Sequence, residues 1–174
     1  QYMQLPRMTA LSEVQWCQPE RKDWNRFTKA IPHITAAYDI MGYNYAKHIF
    51  DITGKIENDP ENRSLAVTLT TVDDAPIFYT IDGTEPTREA AAYNGPVNIT
   101  ESCTLKAKVF REDSESRTYT KVLDIHKAIG SPVTLHTEAH KRYIGGAPAS
   151  LTDGLRGEMS FTGTEWSGFH GKPV

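Results

Sequence analysis

The feature that most constrains this chain is a change in the spacing of its apolar residues near residue 56. Before that point, one series recurs at intervals of three and four, which places its side chains along one face of a helix. The series consists of Trp24, Phe27, Ile31, Ile34, Tyr38 and Met41. After that point, Leu65, Val67 and Leu69 alternate with less apolar neighbours, as in a half-buried strand. The sequence therefore predicts a helical part followed by a β part.

Two helices are expected in the first part. The first begins at Pro6, a favoured first-turn residue, and keeps one face small or apolar. That face consists of Leu5, Met8, Leu11, Ser12 and Trp16. Together the two helices carry more apolar surface than they can bury against each other. We therefore expect a large partner upstream of Gln1 and interpret the chain as an excised piece of a longer protein.

The second helix is expected to begin near Pro19, with Glu20 and Asp23 in its first turn, where acidic side chains suit the helix dipole. Its apolar series stays in register across Pro32, which predicts a kink at that residue but not an end. Gly42 follows the last apolar position and can adopt the left-handed conformation that ends helices. Without the upstream partner, residues 24–34 of this series are expected to fold back onto the β part or to pair with a second copy of the chain.

The β part contains several short strands without a helical period between them. Besides 65–69, strands are predicted at 76–81, 103–110 and 117–125. Asp82-Gly83 predicts a turn, and polar linkers lie at 58–63 and 111–116. This spacing favours a small antiparallel sandwich of immunoglobulin-like type. Its expected core consists of Leu65, Val67, Leu69, Phe78, Ile81, Leu105, Ala107, Val109 and Val122.

The chain changes again near Gly130, where glycines become frequent. They are Gly130, Gly145, Gly146, Gly154, Gly157, Gly163, Gly168 and Gly171. Such a density is typical of loops and tight turns with short strands between them. The tail is therefore expected to be a third, glycine-rich β segment.

Composition limits the classes of partner. The chain has 174 residues with 19 basic and 22 acidic side chains, so its formal net charge of -3 provides no basic field for nucleic acid. No apolar run reaches the roughly 18 residues that cross a bilayer, and no membrane span is predicted. Cys17 and Cys103 show neither CxxC spacing nor a nearby histidine pair, so we interpret them as two separate buried thiols.

Two acidic pairs are the first candidates for acid-base chemistry. Asp73-Asp74 and Glu112-Asp113 fall in predicted turns between strands. A catalytic carboxyl group needs an apolar pocket or a charged neighbour to shift its pKa, and neither sequence context provides one. We therefore interpret both pairs as solvated turn residues.

One histidine pair is spaced for a metal ion. His136 and His140 would share a face if their segment were helical. The preceding Val133-Thr134-Leu135 favours an extended chain instead, which separates the two rings. We expect no metal at this pair.

Nucleophile and phosphate motifs are also missing. Ser12, Ser131 and Ser160 lack the GxSxG motif of acyl-transfer enzymes. Gly145-Gly146 is not followed by the lysine of a phosphate loop. We expect no catalytic, cofactor-binding or metal-ligating residue in this chain.

Aromatic residues of the tail leave two interpretations open. Tyr143, Trp166 and Phe169 could serve as stacking platforms for sugar rings, because the apolar face of a pyranose lies flat on an aromatic ring. Packing in a hydrophobic core is the more frequent role of a tryptophan, and it is the favoured interpretation of Trp166.

The helical part contains a motif known from glycosidases. Residues 5–16 read LPRMTALSEVQW, followed by Asp23-Trp24 and by MGYNY at 41–45. This combination resembles the end of the catalytic barrel of glycoside hydrolase family 20 β-N-acetylhexosaminidases. The resemblance implies that the two helices are the last barrel helix and the segment after it.

The later parts resemble accessory modules of such enzymes. PIFYTIDGTEPT at 76–87, with LKAKVF at 105–110, resembles the immunoglobulin-like chitobiase/β-hexosaminidase C-terminal domain. YIGG at 143–146, ASLTDGLRG at 149–157 and WSGF at 166–169 resemble the opening of a discoidin-like (factor 5/8 type C) jelly-roll. The order of the three motifs agrees with the order of domains after the barrel in such enzymes.

The resemblance implies an α+β chain of several parts. Residues 1–54 would be helices from the end of a (β/α)8 barrel, 55–128 the immunoglobulin-like sandwich, and 129–174 part of a β jelly-roll. In that family an Asp-Glu dipeptide and a Trp-x-Glu motif serve the sugar site, and this sequence contains neither. Catalytic residues of such barrels lie at the C-terminal ends of the strands, before the last helix. The chain by itself is expected to be inactive.

The parent enzyme implied by the resemblance is bacterial and extracytoplasmic. It would be a retaining, substrate-assisted glycosidase that removes terminal N-acetylhexosamine residues from glycans. Its glycan substrate and the upstream barrel of the same polypeptide are then the expected partners, without a cofactor. Two alternatives remain for the β part: a carbohydrate-binding module, or a scaffold that supports the barrel, which we favour for residues 56–127.

Overall fold

The computed structural model describes residues 2–59, 61–112, 114–155, 157 and 166–169. Two helices precede the strands: α1 (Arg7–Trp16) and α2 (Trp24–Ile40). The strands are β1 (Thr53–Asp59), β2 (Ser64–Thr70), β3 (Ile77–Thr80), β4 (Ala91–Ala92), β5 (Val97–Ile99), β6 (Cys103–Val109) and β7 (Tyr119–Leu123). Single 3-10 turns lie at Pro19–Arg21, Lys47–Phe50 and Ala149–Leu151. None of the described helices is long and apolar enough to cross a membrane.

Helix α2 begins later than predicted. Pro19–Arg21 forms only a 3-10 turn, and the helix starts at Trp24 because Asp23 is its N-cap. The Asp23 Oδ1 atom accepts hydrogen bonds from the backbone N–H groups of Asn25 at 2.8 Å and Arg26 at 3.2 Å. A carboxylate in this position satisfies N–H groups that have no partner within the helix. Asp23 therefore fixes the start of α2 from outside the helix.

The predicted passage through Pro32 and the predicted end at Gly42 are confirmed. Helix α2 runs through Pro32, and Gly42 follows its last turn with a φ of +68°. The N–H of Gly42 donates to the carbonyl of Asp39 at 3.1 Å. The N–H of Tyr43 donates to the carbonyl of Tyr38 at 2.9 Å. This pair of bonds is a Schellman motif, which needs the left-handed conformation that glycine adopts without strain.

The apolar series of α2 is only partly buried, and its buried residues lie outside the sandwich core. Phe27 and Ile31 are buried, but neither belongs to the core cluster of the sandwich. Phe27 lines a small pocket with Ala10 and Val14 of α1. Trp24, by contrast, is 71% exposed, so it does not fold back onto the β part, and pairing with a second copy of the chain stays a prediction.

Two antiparallel sheets form the sandwich. One has the strand order β1-β2-β5 and the other β4-β3-β6-β7. In the first, Ile56 pairs with Val67; in the second, Ala107 pairs with Tyr79 on one side. Their inner faces enclose one cluster: Ile52, Leu65, Val67, Leu69, Ile77, Ile99, Leu105, Ala107, Val109 and Leu123. The β-sandwich prediction is confirmed, and so are the predicted core positions on β2 and β6.

Three residues predicted for the core do not belong to it. On β3, Ile77 is buried and Phe78 is only half-buried, because neighbouring side chains of a strand alternate between faces. Ile81 lies in a bend after β3 and is exposed. Val122 is also exposed, because Leu123 holds the inner position of β7.

Some strand residues were not predicted. The expected linker at 58–63 begins inside β1, which continues to Asp59. Strands β4 and β5 have only two and three residues, too few to show a period of two. They are defined by their pairing with β3 and β2.

The described part of the tail packs on one edge of the sandwich. Leu155 forms an isolated bridge with Leu123, and the N–H of Asp124 donates to the carbonyl of Gly154 at 3.2 Å. Residues 130–154 otherwise form turns, bends and one 3-10 turn. The barrel origin of the helices, the jelly-roll and the three domain boundaries stay predictions.

Candidate functional site

A set of polar contacts lies where the helices meet the sandwich. Residues 45–52 lead from α2 to β1, and three of them are buried: Tyr45, Ala46 and Ile52. The N–H of Ala46 donates to the carbonyl of Leu5 at 3.0 Å, which ties the first residues of the chain to the same place. We call this region the junction, defined by residues 45–52 together with Asp73, Arg111 and Arg117.

Asp73 and Arg111 form a two-bond ion pair across the junction. The Nε and Nη2 atoms of Arg111 each donate to a carboxylate oxygen of Asp73 at 2.8 Å, and both side chains are largely buried. Nη2 also donates to the carbonyl of Phe50 at 3.2 Å, and the guanidinium lies 5.2 Å from the centre of the Phe50 ring. Arg111 therefore connects the turn after β2 to the segment that follows α2.

The interpretation of Asp73 as a solvated turn residue is wrong. Burial alone would raise the pKa of Asp73, but the hydrogen bonds and the charge of Arg111 outweigh it and hold that pKa below its ordinary value. A carboxylate held in its charged form is poorly suited to donate a proton near neutral pH. Its neighbour Asp74 is exposed, as is Glu112, whereas Asp113 lies outside the described residues. Asp73 is thus a structural anchor.

A second ion pair reinforces the junction. Arg117 donates from its Nε atom to Oδ2 of Asp51 at 2.7 Å, and its backbone N–H donates to Oδ1 at 3.1 Å. The guanidinium of Arg117 is largely exposed, so solvent screens this pair more than the one at Asp73. The Asp51 pair attaches the segment before β1 to the β6–β7 connection, and the Asp73 pair holds Arg111 of that same connection beside the connection after β2.

The junction borders a groove of about 1040 Å³ between α2 and the end of the sandwich. Asp39 lines this groove and accepts a hydrogen bond from the hydroxyl of Tyr45 at 3.1 Å. Burial and the neighbouring Asp39 raise the pKa of Tyr45, so its phenol stays protonated and donates. The carboxylates of Asp51 and Asp73 also line the groove, and each is paired with an arginine. These two carboxylates are therefore not free for acid-base chemistry.

The two candidate histidines do not share a helical face. His136 is exposed, and the ring of His140 lies 5.5 Å from that of Tyr143. The segment around them is not helical, as predicted from Val133-Thr134-Leu135. The part of the chain that the structure describes includes no group of three side chains suited to a metal ion.

The candidate serines and the Gly145-Gly146 pair are dispersed. The Ser12 hydroxyl donates to the carbonyl of Met8, and Ser131 is exposed. Ser160 lies outside the described residues. Gly145-Gly146 is an exposed turn. The structure does not bring the described members of this set together.

The two cysteines are separate, as predicted, but not fully buried. Cys17 and Cys103 are free thiols with intermediate exposure. Arg26 lies beside Cys17, with Nη2 at 3.2 Å from Sγ. Burial raises the pKa of Cys103, which keeps that thiol protonated and weakly reactive.

Backbone bonds bring two segments of the tail together. The N–H of Gly168 donates to the carbonyl of Tyr143 at 2.7 Å, and the N–H of His140 donates to the carbonyl of Gly168 at 2.9 Å. A Cβ on Gly168 would lie 2.9 Å from the Cβ of Tyr143, so this close approach favours a glycine. The aromatic residues on both segments therefore lie close in space.

The tail aromatics are partly open to solvent. Tyr143 is 50% exposed, Trp166 is 45% exposed and Phe169 is half-buried. The ring of Trp166 covers Gly157 so closely that a Cβ there would lie 2.6 Å from it. Trp166 is therefore neither a core residue, the role favoured from the sequence, nor a fully open platform.

Sequence reasoning missed the residues that make the junction. Arg111 lies in a predicted linker and Asp51 has no predicted role, because their partners lie 38 and 66 positions away in the chain. The only sequence feature that points to these ion pairs is that charged residues flank the predicted strand ends. This feature does not indicate which charged residues pair with each other in the folded chain.

Comparison with known proteins agrees with this architecture. Residues 61–121, which include β2 to β6 and the start of β7, match the family model of the chitobiase/beta-hexosaminidase C-terminal domain. The chain is also similar to a beta-hexosaminidase of Porphyromonas gingivalis, with 27% identity over 108 residues. That match covers 62% of this chain but only 14% of the length of the relative. The sandwich is thus related to the hexosaminidase C-terminal domain.

Proposed function

We propose that this chain is the non-catalytic C-terminal part of a glycoside hydrolase family 20 β-N-acetylhexosaminidase. The observation that carries the proposal is the family match over 61–121, which falls on the closed hydrophobic core of the sandwich. The junction supports a structural role, since the carboxylates of Asp51 and Asp73 are both neutralised by arginines. The sandwich would then support a catalytic part located elsewhere in the polypeptide.

Helix α1 provides the surface on which the catalytic barrel would dock. It has no buried residue, and its large apolar side chains at Met8, Leu11 and Val14 are all more than half exposed. Trp16 is 88% exposed. Apolar surface of this extent marks interaction sites on soluble proteins. The proposed occupant is the rest of the (β/α)8 barrel of the same polypeptide.

The parent protein would hydrolyse terminal N-acetylhexosamine residues of glycans outside the bacterial cytoplasm. Its mechanism would be the retaining, substrate-assisted one, in which the substrate's acetamido group takes the place of an enzyme nucleophile. The similarity to a beta-hexosaminidase of P. gingivalis supports this substrate class. The present chain would contribute support and no residue of the sugar site.

The test is release of nitrophenol from nitrophenyl N-acetyl-β-glucosaminide. We expect activity from a polypeptide extended upstream through a full barrel and none from the present chain. Leu11→Glu in the longer polypeptide should lower its thermal midpoint, whereas Gln15→Glu, on the same helix and also exposed, should not. Activity of the short chain, or inactivity of both polypeptides, would contradict the proposal.

Carbohydrate binding by the β part is the second candidate function. The partly exposed rings of Tyr143 and Trp166 favour it, because they lie outside strands and keep area available for stacking. A weakly binding module is useful beside a catalytic domain, since tethering raises the local concentration of the substrate. Glycan affinity that disappears in Trp166→Ala would support this function, and no affinity for any N-acetylhexosamine glycan would leave the scaffold role alone.

A further inference from the structure

A second groove lies between the N-terminal half of α2 and the end of the sandwich. It contains about 720 Å³, which is within the usual range of ligand sites. Its lining comes from the start of α2, from residues 48–49 and 51–53, from the end of β2 and the connection after it, and from Arg117. We call it the Trp24 groove, after its largest aromatic lining residue.

Trp24 is presented in a fixed position. It is the first residue of α2, and the Asp23 cap fixes the backbone at that point. Its ring lies 5.7 Å from the ring of Phe27, which is buried. A side chain that is supported from one side and otherwise exposed offers a large flat surface at little further entropic cost. The position fits an aromatic platform for a ligand ring.

The rest of the groove lining is mostly polar. Four threonines line it, Thr28, Thr53, Thr70 and Thr71, and the hydroxyls of Thr28, Thr70 and Thr71 each form one hydrogen bond to a backbone group. A hydroxyl group can both donate and accept a hydrogen bond, so it suits the hydroxyl groups of a sugar. The lining thus places hydrogen-bonding groups around an aromatic platform.

The charges of the groove are nearly balanced. Two positive side chains, Lys29 and Arg117, accompany two negative ones, Asp51 and Asp74. Asp51 and Arg117 are bonded to each other. A balanced lining creates no strong field for an anion, so it favours a neutral, hydroxyl-rich ligand over a phosphate or a nucleic acid.

We propose that the Trp24 groove binds a neutral oligosaccharide, with the Trp24 ring stacked on the apolar face of one pyranose. The threonine hydroxyls and the side chains of Asn25 and Lys29 would then hydrogen-bond to sugar hydroxyls. The choice of N-acetylhexosamine as the sugar unit rests on the function proposed above. The groove holds the sugar and does not cleave it, because glycoside hydrolysis uses a pair of carboxyl groups and one of the two in this lining, Asp51, is bonded to Arg117.

The experiment is a calorimetric titration of the 174-residue chain with the β-1,4-linked tetramer of N-acetylglucosamine. We expect binding by the unmodified chain and an affinity loss of about tenfold in Trp24→Ala, the scale of an aromatic stacking contact. Trp24→Phe keeps a ring and should retain most of the affinity. Backbone amide signals in NMR spectra should shift at residues 25–29 and 70–71, which locates the sugar without any substitution.

The other tryptophans supply matched controls. Trp16 is highly exposed but does not line the groove, so Trp16→Ala should bind like the unmodified chain. Loss of affinity in Trp166→Ala but not in Trp24→Ala would overturn the proposal and place the sugar on the tail. Absence of binding by the unmodified chain would overturn it as well. Neither result depends on hydrolysis, so failure here can be distinguished from failure of the hexosaminidase assignment.

Discussion

The sandwich and the helical part bury their apolar residues to very different degrees. In the sandwich, two sheets close on each other and enclose a cluster in which Leu65, Leu105 and Leu123 are fully buried. In the helical part, α1 buries no residue, and the buried residues of α2 are Phe27, Ile31, Thr35 and Tyr38. The sandwich therefore supplies its own hydrophobic stabilisation, whereas much of the apolar surface of α1 remains available to a partner.

The helical part and the sandwich are connected mainly by polar contacts, not by a shared hydrophobic core. The core cluster reaches only to Ile52, the residue before β1. The further attachment uses the ion pair of Asp51 with Arg117 and the hydrogen bond from Arg111, which Asp73 holds in place, to the carbonyl of Phe50. Charge-assisted hydrogen bonds depend strongly on direction, whereas the hydrophobic effect is non-directional. The junction thus orients the segment after α2 on the sandwich without extending the core of the sandwich into the helices.

The largest expected effect compares one leucine from each part. Leu105→Ala should lower the free energy of unfolding by about 2 to 5 kcal/mol, because it removes a fully buried side chain and leaves a cavity. Leu11→Ala, on the exposed surface of α1, should cost less than about 0.5 kcal/mol. Urea unfolding measures both. A loss below about 1 kcal/mol for Leu105→Ala would mean that the inner face of β6 is assigned wrongly.

A glycine tests whether the tail belongs to the same unit as the sandwich. Gly154 has a φ of +74°, and a Cβ there would lie 2.8 Å from the carbonyl oxygen of Asp124 and 2.9 Å from Cδ1 of Ile129. Gly154→Ala should therefore lower the free energy of unfolding, measured by urea unfolding, by about 2 to 4 kcal/mol, of which about 1 is backbone strain and the rest is the close contacts. Gly42→Ala is the matched control, with a φ of +68° and no atom within 4 Å of the added Cβ. Its cost should be about 1 kcal/mol, from backbone strain alone.

Equal losses in the two glycine variants would contradict this packing. That result would mean that the tail moves away from the added Cβ at Gly154 without cost to the sandwich. The tail would then be a third part of the molecule that is only loosely attached to the sandwich.

Sequence periodicity predicted those elements in which one period repeats without interruption. Helix α2 through Pro32 to Gly42, strand β2 and strand β6 lie where the pattern placed them. The wrong core predictions occur where the pattern does not show which of two neighbouring side chains faces the core. The run from Ile77 to Ile81 is almost entirely apolar or aromatic, so its composition does not indicate which side chains point inward.

The junction was less predictable than the fold. Ion pairs between distant residues follow from the folded arrangement of connections, and local patterns contain no information about partners so far away. Asp73 shows this, because its sequence context is that of a solvated turn, whereas Arg111 holds its pKa low in the folded chain. The family resemblance of the sandwich, in contrast, could be predicted from a short motif at 76–87, which lies within the matched residues.

The smallest expected effect concerns the ion pair at the junction. Asp73→Asn keeps the shape of the side chain but removes the charge that faces Arg111. It should lower the free energy of unfolding at neutral pH by about 1 to 2 kcal/mol, because charge-assisted hydrogen bonds contribute on that scale. Asp74→Asn, the adjacent exposed position, is the control and should change it by less than about 0.5 kcal/mol.

The pH dependence of this effect separates charge from packing. Burial raises the pKa of Asp73, but the hydrogen bonds and the charge of Arg111 lower it further, so that the pKa lies below its ordinary value. Such a carboxylate stabilises the folded chain above its ordinary pKa, and the contribution is lost as the pH falls through the folded-state pKa. The difference between the unmodified chain and Asp73→Asn, measured by urea unfolding, should therefore be full at neutral pH and shrink in acid. A difference that stays constant into acid would show that the charge of Asp73 does not contribute to holding Arg111 at the junction.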